Sequence, residues 1–198
     1  MKYLSFFDDI EKIVVYDELS QFLGVNDDGI IEFSYADIVK SAGHSCATVA
    51  GAYLIAREGL KALYPNELPK RGEIKVEIQK SPTDDNAGVV GCVISIITGA
   101  SKNMGFGGIK NGTKFNRRDL LSFEADIEAD VCFTRIDTNK KVYVKYTPKK
   151  IVNPMAILKS AINPDATKED KESFPTRFQE MVKTVFENSK EVIEVKVI

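Results

Sequence analysis

Asp84-Asp85-Asn86-Ala87-Gly88-Val89-Val90-Gly91-Cys92-Val93-Ile94-Ser95-Ile96-Ile97-Thr98-Gly99 is the stretch on which the fold turns. Its β-branched run from Val89 to Ile97 favours a strand by propensity. Against that, Asp84 and Asp85 can cap a helix, Gly99 can end one, and the run is long for a strand. The balance predicts a helix over 86–99. A strand here would sit inside a sheet, whereas a helix makes the order helix, strand, helix, then three strands.

The neighbours on both sides agree with that order. Val49, Ala50, Tyr53, Leu54, Leu60 and Leu63 fall on one stripe of a helix from about Cys46 to Leu63, ended by Pro65 and Pro69. From Glu73 to Gln79 apolar and polar residues alternate, with Ile74, Val76 and Ile78 facing inward as on a strand. Downstream, strand-like stretches cover Lys114–Phe123, Asp130–Asp137 and Lys141–Thr147. Upstream, Ser34 with Asp37 three positions on is a capping signature for a short helix over 35–40 that Gly43 stops.

The ends read as helical. Ile10, Ile13, Val14, Leu19 and Phe22 are helix-spaced within Phe6–Leu23, with a break near Asp17 and Gly24 as the close. From Pro154 onward Thr167 caps a helix with Asp170 at its third position, and Phe174, Phe178, Met181, Val182 and Val185 form its stripe. The expected architecture is one α+β domain over 1–198. Residues 35–150 are its α-β-α-β-β-β core, a small mixed four-stranded sheet with helices on one face, and 151–198 a helical C-terminal extension.

With 198 residues, 43% of them hydrophobic and 28% charged, the chain can bury a real core. No apolar run approaches the ~20 residues that cross a bilayer, so no membrane association is expected. The N-terminus turns acidic at Asp8 and Asp9 before a signal-peptide apolar region can form. A net charge of −2 supplies no global field for nucleic acid. Three cysteines, an odd number, fit a reducing cytoplasm better than a disulfide framework.

Three constellations carry chemistry. The first is Gly43-His44-Ser45-Cys46 at the start of the long helix. There both side chains can converge where unpaired N–H groups and the macrodipole stabilise a thiolate. Imidazole and thiolate are ligands for zinc or another borderline divalent metal, with Cys92 as a third candidate. A buried cysteine beside a hydrogen-bonded histidine is the plain alternative, and a third is a thiol enzyme with Cys46 as nucleophile and His44 as base. The second constellation is the run from Thr98 to Gly112, where five glycines lie between Gly99 and Gly112. Residues 98–118 hold Lys102, Lys110, Lys114, Arg117 and Arg118 and no acid, so backbone amides around Gly107 and Gly108 could take a small anion. Neither a Walker loop nor a dinucleotide fingerprint is present. The third is Arg117 and Arg118 on one strand with Arg135 and Asp137 on the next, which serves an ion-pair network as well as a carboxylate clamp. Cys132, alternating with Phe133, reads as core.

Gly43-His44-Ser45-Cys46, followed by Val49-Ala50-Gly51-Ala52-Tyr53 and later by Thr98-Gly99-Ala100 and its glycines, resembles the formylmethanofuran dehydrogenase E-subunit-like family over roughly residues 35–150. The resemblance implies an α-β-α-β-β-β core and a metal site, usually zinc, with His44 and Cys46 as ligands. Ala47 stands where that family's motif has proline and Ala100 where it has cysteine, and the C-terminal zinc-ribbon cysteines are missing. The expected function is a metal-binding cytoplasmic protein, with a thiol-dependent enzyme acting on an anionic small molecule and a non-catalytic accessory component as alternatives. Apolar helices at both ends predict a homodimer.

Overall fold

The computed structural model describes residues 3–198. In chain order the elements are β1 (Ile13–Tyr16), α1 (Glu18–Phe22), β2 (Ile30–Phe33), α2 (Tyr35–Ala42), α3 (Ala47–Leu63), β3 (Ile74–Ile78) and α4 (Ala87–Thr98). They continue with β4 (Gly107–Ile109), β5 (Lys114–Asn116), β6 (Leu121–Ser122), β7 (Val131–Arg135), β8 (Lys141–Tyr146), α5 (Pro154–Ile162), α6 (Lys168–Glu187), α7 (Ser189–Val192) and β9 (Ile193–Val197). The fold is α+β.

The decisive stretch is a helix. Gly99 closes α4 in the left-handed conformation, its N–H bonding the Ser95 carbonyl, while Asn86 takes the N-cap position that Asp84 and Asp85 were expected to fill. Burial overrides the strand propensity of the valines and isoleucines: Val93, Ile94 and Ile97 are inside, packed with α3 and on β3. Each fully buried aliphatic side chain of this kind contributes about 1.5–3 kcal/mol.

The main sheet has the order β6-β3-β7-β8-β9, with β3 and β6 parallel and the other pairs antiparallel. Registers such as Val76↔Phe133↔Val142 put the apolar residues of three strands on the face covered by α3 and α4. Helix α3 lies close to that face because two positions lack a side chain. A Cβ on Gly51 would fall 2.2 Å from Tyr146 Cε1, and one on Gly59 would fall 2.6 Å from Phe133 Cε2. The opposite face carries Lys75, Glu77, Lys141, Tyr143 and Lys145 by strand alternation. Cys132 belongs there too. It is buried, but beside Thr134 on the polar face and outside the hydrophobic cluster.

Four expectations are corrected. The continuous Phe6–Leu23 helix is absent: Ile13–Tyr16 is the strand β1, paired antiparallel with β2 and with Ile13 and Val15 pointing inward at period two, and only the 3-10 turn Ser5–Phe7 and α1 are helical. The Lys114–Phe123 strand is split. Lys114–Asn116 pairs with Gly107–Ile109 in a separate ribbon and Leu121–Ser122 joins the main sheet, because Asp119 at φ 61 bends the chain between them. The sheet has five strands rather than four, and the C-terminal extension is not wholly helical. Helices α5 and α6 form, α6 with its Thr167–Asp170 capping box and running through Pro175, but Ile193-Glu194-Val195-Lys196-Val197 alternates at period two and completes the open edge of β8. Among the described residues no helix is long and apolar enough to cross a membrane.

Candidate functional site

The His44–Cys46 corner is built by the ends of two helices. Ser34 and Asp37 form the full capping box of α2, and Gly43 closes that helix at φ 77, with open space where a Cβ would lie. The chain then turns through His44 and Ser45 into Cys46, which is extended (φ −149, ψ 173) and is the N-cap of α3. Its Sγ accepts from the backbone N–H of Val49 at 3.5 Å, so the sulfur sits over the unpaired donors of the first turn. Cys46 is half-buried and His44 exposed.

Nδ1 of His44 lies 3.0 Å from the Ala42 carbonyl oxygen. A carbonyl only accepts, so in the neutral ring Nδ1 carries the proton and Nε2 keeps its lone pair. Metal-ligating histidines are oriented in this way, with one nitrogen donating to a backbone carbonyl and the other free to ligate.

Residues distant in sequence hold the corner from behind. Tyr35 OH and Ser45 Oγ are 2.9 Å apart, Gln179 Nε2 donates to the Ser45 carbonyl at 3.0 Å, and Tyr146 OH donates to the Ala47 carbonyl at 2.8 Å. Burial, with the Cys46 sulfur nearby, pushes the Tyr35 and Tyr146 hydroxyls well above the usual phenol range, so both stay protonated. Oε1 of Gln179 is buried with no hydrogen-bond partner. None of Tyr35, Tyr146 and Gln179 carries a sequence signal for this role; only Gly51, small where Tyr146 must cross α3, hints at a close approach.

The donor types of His44 and Cys46 fit a borderline divalent metal. Among the described residues, however, no group of three or more His, Cys, Asp and Glu side chains is gathered to hold one. Cys92 is exposed on α4 and is not brought to the pair.

The basic residues lie elsewhere and are engaged. Arg117 is buried, its Nη2 2.8 Å from Asp17 Oδ1, and Arg71 Nη1 reaches Asp17 Oδ2 at 2.7 Å. Arg71 also donates through Nε and Nη2 to the Ile96 carbonyl at the C-terminal end of α4. Burial alone would raise the Asp17 carboxyl, but the Arg71 hydrogen bond and the Arg117 charge outweigh it and hold the group below its ordinary value. Arg135 lies over the Tyr64 ring at 4.1 Å and pairs with Asp137 and Glu67 at 2.6 Å each. Its hydrogen bond holds the Asp137 carboxyl down at about 2. Tyr64 follows the last residue of α3, so Arg135 and Cys46 stand at opposite ends of a helix about 25 Å long.

Arg118 Nε donates to the Gly105 carbonyl at 2.7 Å, and Lys102 sits over the Phe123 ring at 5.5 Å. Gly107 and Gly108 belong to the β4–β5 ribbon, where a Cβ on Gly108 would strike the Lys114 carbonyl oxygen at 2.4 Å. At Gly108 the missing side chain serves strand pairing, whereas at Gly107 it leaves room for the Arg118 guanidinium, whose Cζ a Cβ would meet at 3.1 Å. The structure does not bring Lys102, Gly107, Gly108, Arg117, Arg118 or Arg135 to the Cys46 corner.

No family model matches this chain, and no curated protein matches it either. Among solved structures it is similar to a tungsten formylmethanofuran dehydrogenase E-subunit-like protein from Syntrophus aciditrophicus, at a TM-score of 0.43 and 11% identity over 84% of this chain and 72% of that one. At that score the likeness says nothing about family, motif or function.

Proposed function

We propose that this protein binds a divalent transition metal, zinc by donor type, at the corner between α2 and α3. Nε2 of His44 and Sγ of Cys46 are its two ligands from the chain, and solvent or an external ligand completes the shell. The observation that carries this reading is the hydrogen bond from His44 Nδ1 to the Ala42 carbonyl, which leaves Nε2 as a free, exposed donor two residues from a half-buried thiol. Tyr35, Gln179 and Tyr146 hold the turn on which both ligands sit, and the α3 N-terminus favours a thiolate there. A bound metal with open positions would supply Lewis acidity or a place for an external ligand. The three free cysteines suit a reducing compartment such as the cytoplasm.

Elemental analysis of protein purified without chelators, with zinc titration of the stripped protein, tests the reading. His44→Ala and Cys46→Ser should each abolish uptake, while Cys92→Ser and Cys132→Ser should leave it intact. Wild-type protein that takes up no metal in the titration would overturn it.

A further inference from the structure

β9 ends the main sheet, and its outer side is exposed from Glu194 to Val197. The pairing with β8 fixes which backbone groups are used. Thr147 N–H donates to the Val192 carbonyl at 2.8 Å and Ile198 N–H to the Lys141 carbonyl at 2.9 Å, so the even-numbered residues of β9 bond inward. The Ile193 N–H is taken by the Ser189 carbonyl, closing α7, so the groups that point away from the sheet and meet no other strand among the described residues are the Ile193 C=O and the N–H and C=O of Val195 and Val197. Such a row of free groups is a template for another strand.

The side chains decide which strand fits. Ile193, Val195 and Val197 lie on the helix-covered face, yet Val195 is 37% and Val197 55% exposed. Glu194 and Lys196 lie on the other face. The outward-bonding residues of two copies can meet antiparallel in few ways. Setting Ile193 opposite Val195 places Glu194 against its own copy, and setting Val195 opposite Val197 places Lys196 against its own copy. A two-fold axis at Val195 instead sets Val195 against Val195 as a doubly hydrogen-bonded pair and Ile193 against Val197, where the Val197 N–H donates to the free Ile193 carbonyl. It then places Glu194 directly across from Lys196, twice.

We infer that β9 is the interface between two copies of this chain, paired antiparallel about Val195 so that one sheet runs through both. Isologous symmetry requires a self-complementary strand, and Ile-Glu-Val-Lys-Val is one: its charges read as opposites when the strand is reversed. The pairing satisfies both outward groups of Val195, the Val197 N–H and the Ile193 C=O, and it covers the exposed valines with their counterparts.

Sedimentation equilibrium on the full chain should give twice the 22.0 kDa chain mass. Val195→Pro removes an N–H that points out of the sheet and so breaks no intrachain bond. It should raise the dimer dissociation constant about a hundredfold or more, with the circular dichroism of the fold retained. Glu194→Lys and Lys196→Glu place like charges across the axis and should each weaken self-association about tenfold, whereas mixing the two variants should restore a dimer containing one chain of each. That mixing result also covers the case in which Val195→Pro fails to fold. Wild-type protein that stays at 22.0 kDa at high concentration would overturn the inference, as would a dimer that none of these variants weakens.

Discussion

The two ends of the α3–α4 layer handle polar groups in opposite ways. At the C-terminal end, Arg71, Arg117 and Arg135 are each matched to a carboxylate within 2.8 Å, and the Arg135 guanidinium also covers an aromatic ring. At the N-terminal end of α3, His44 presents a free nitrogen to solvent and Cys46 bonds only a backbone N–H. The charged groups at the one end are paired in service of the fold, and those left for chemistry at the other are one imidazole nitrogen and one thiol. A basic segment in a sequence is therefore a poor guide to a binding site until its counterions are known.

That contrast can be broken most forcefully at Asp17. Asp17→Ala leaves Arg71 and Arg117 without their shared counterion in a nearly dry site, which should cost about 3–5 kcal/mol in denaturant unfolding. A midpoint unchanged from wild type would show that this end is not structural. Acid probes the same residue. Its folded carboxyl titrates below the ordinary value, so its stabilisation is complete above the unfolded carboxyl's range and is lost as pH falls from there through the lower folded value. Stability should therefore drop below about pH 4, and Asp17→Asn should flatten that part of the profile while lowering stability at neutral pH.

Gly51→Ala sharpens the comparison from the other end. The added methyl must displace the Tyr146 ring, which costs about 1–3 kcal/mol by overpacking. It should also loosen the Tyr146–Ala47 hydrogen bond behind Cys46, so zinc uptake should weaken along with stability. If uptake is unchanged while the melting temperature falls, the ligand turn does not depend on Tyr146. The smallest effect on stability is expected at His44. The side chain is exposed, so His44→Ala should change unfolding by about 0.5 kcal/mol or less while removing metal uptake. A larger loss of stability without metal present would mean that the histidine serves the fold after all.

Local rules made much of this architecture legible. The length and closing glycine of α4, the stripe of α3, the Ser34–Asp37 box and the alternation of β3 all involve residues a few positions apart, whose preferences act before any distant part of the chain arrives. They also placed His44 and Cys46 at a helix N-terminus. The misreadings share a different cause. Ile13–Tyr16 is a four-residue apolar run and Ile193–Val197 a five-residue alternation, both too short to outweigh the helical pattern around them, and each forms a strand against the edge that β2 or β8 offers it.

Residue order was thus enough to specify the α3-β3-α4 succession, β7 and β8, and the position of the two donors. Which charges are consumed was settled only when the chain closed on itself. Arg117 meets Asp17 across 100 residues and Gln179 meets Ser45 across 134. Ion pairs and buried hydrogen bonds take whichever complementary group the fold delivers within about 3 Å, and sequence spacing carries no information about that distance.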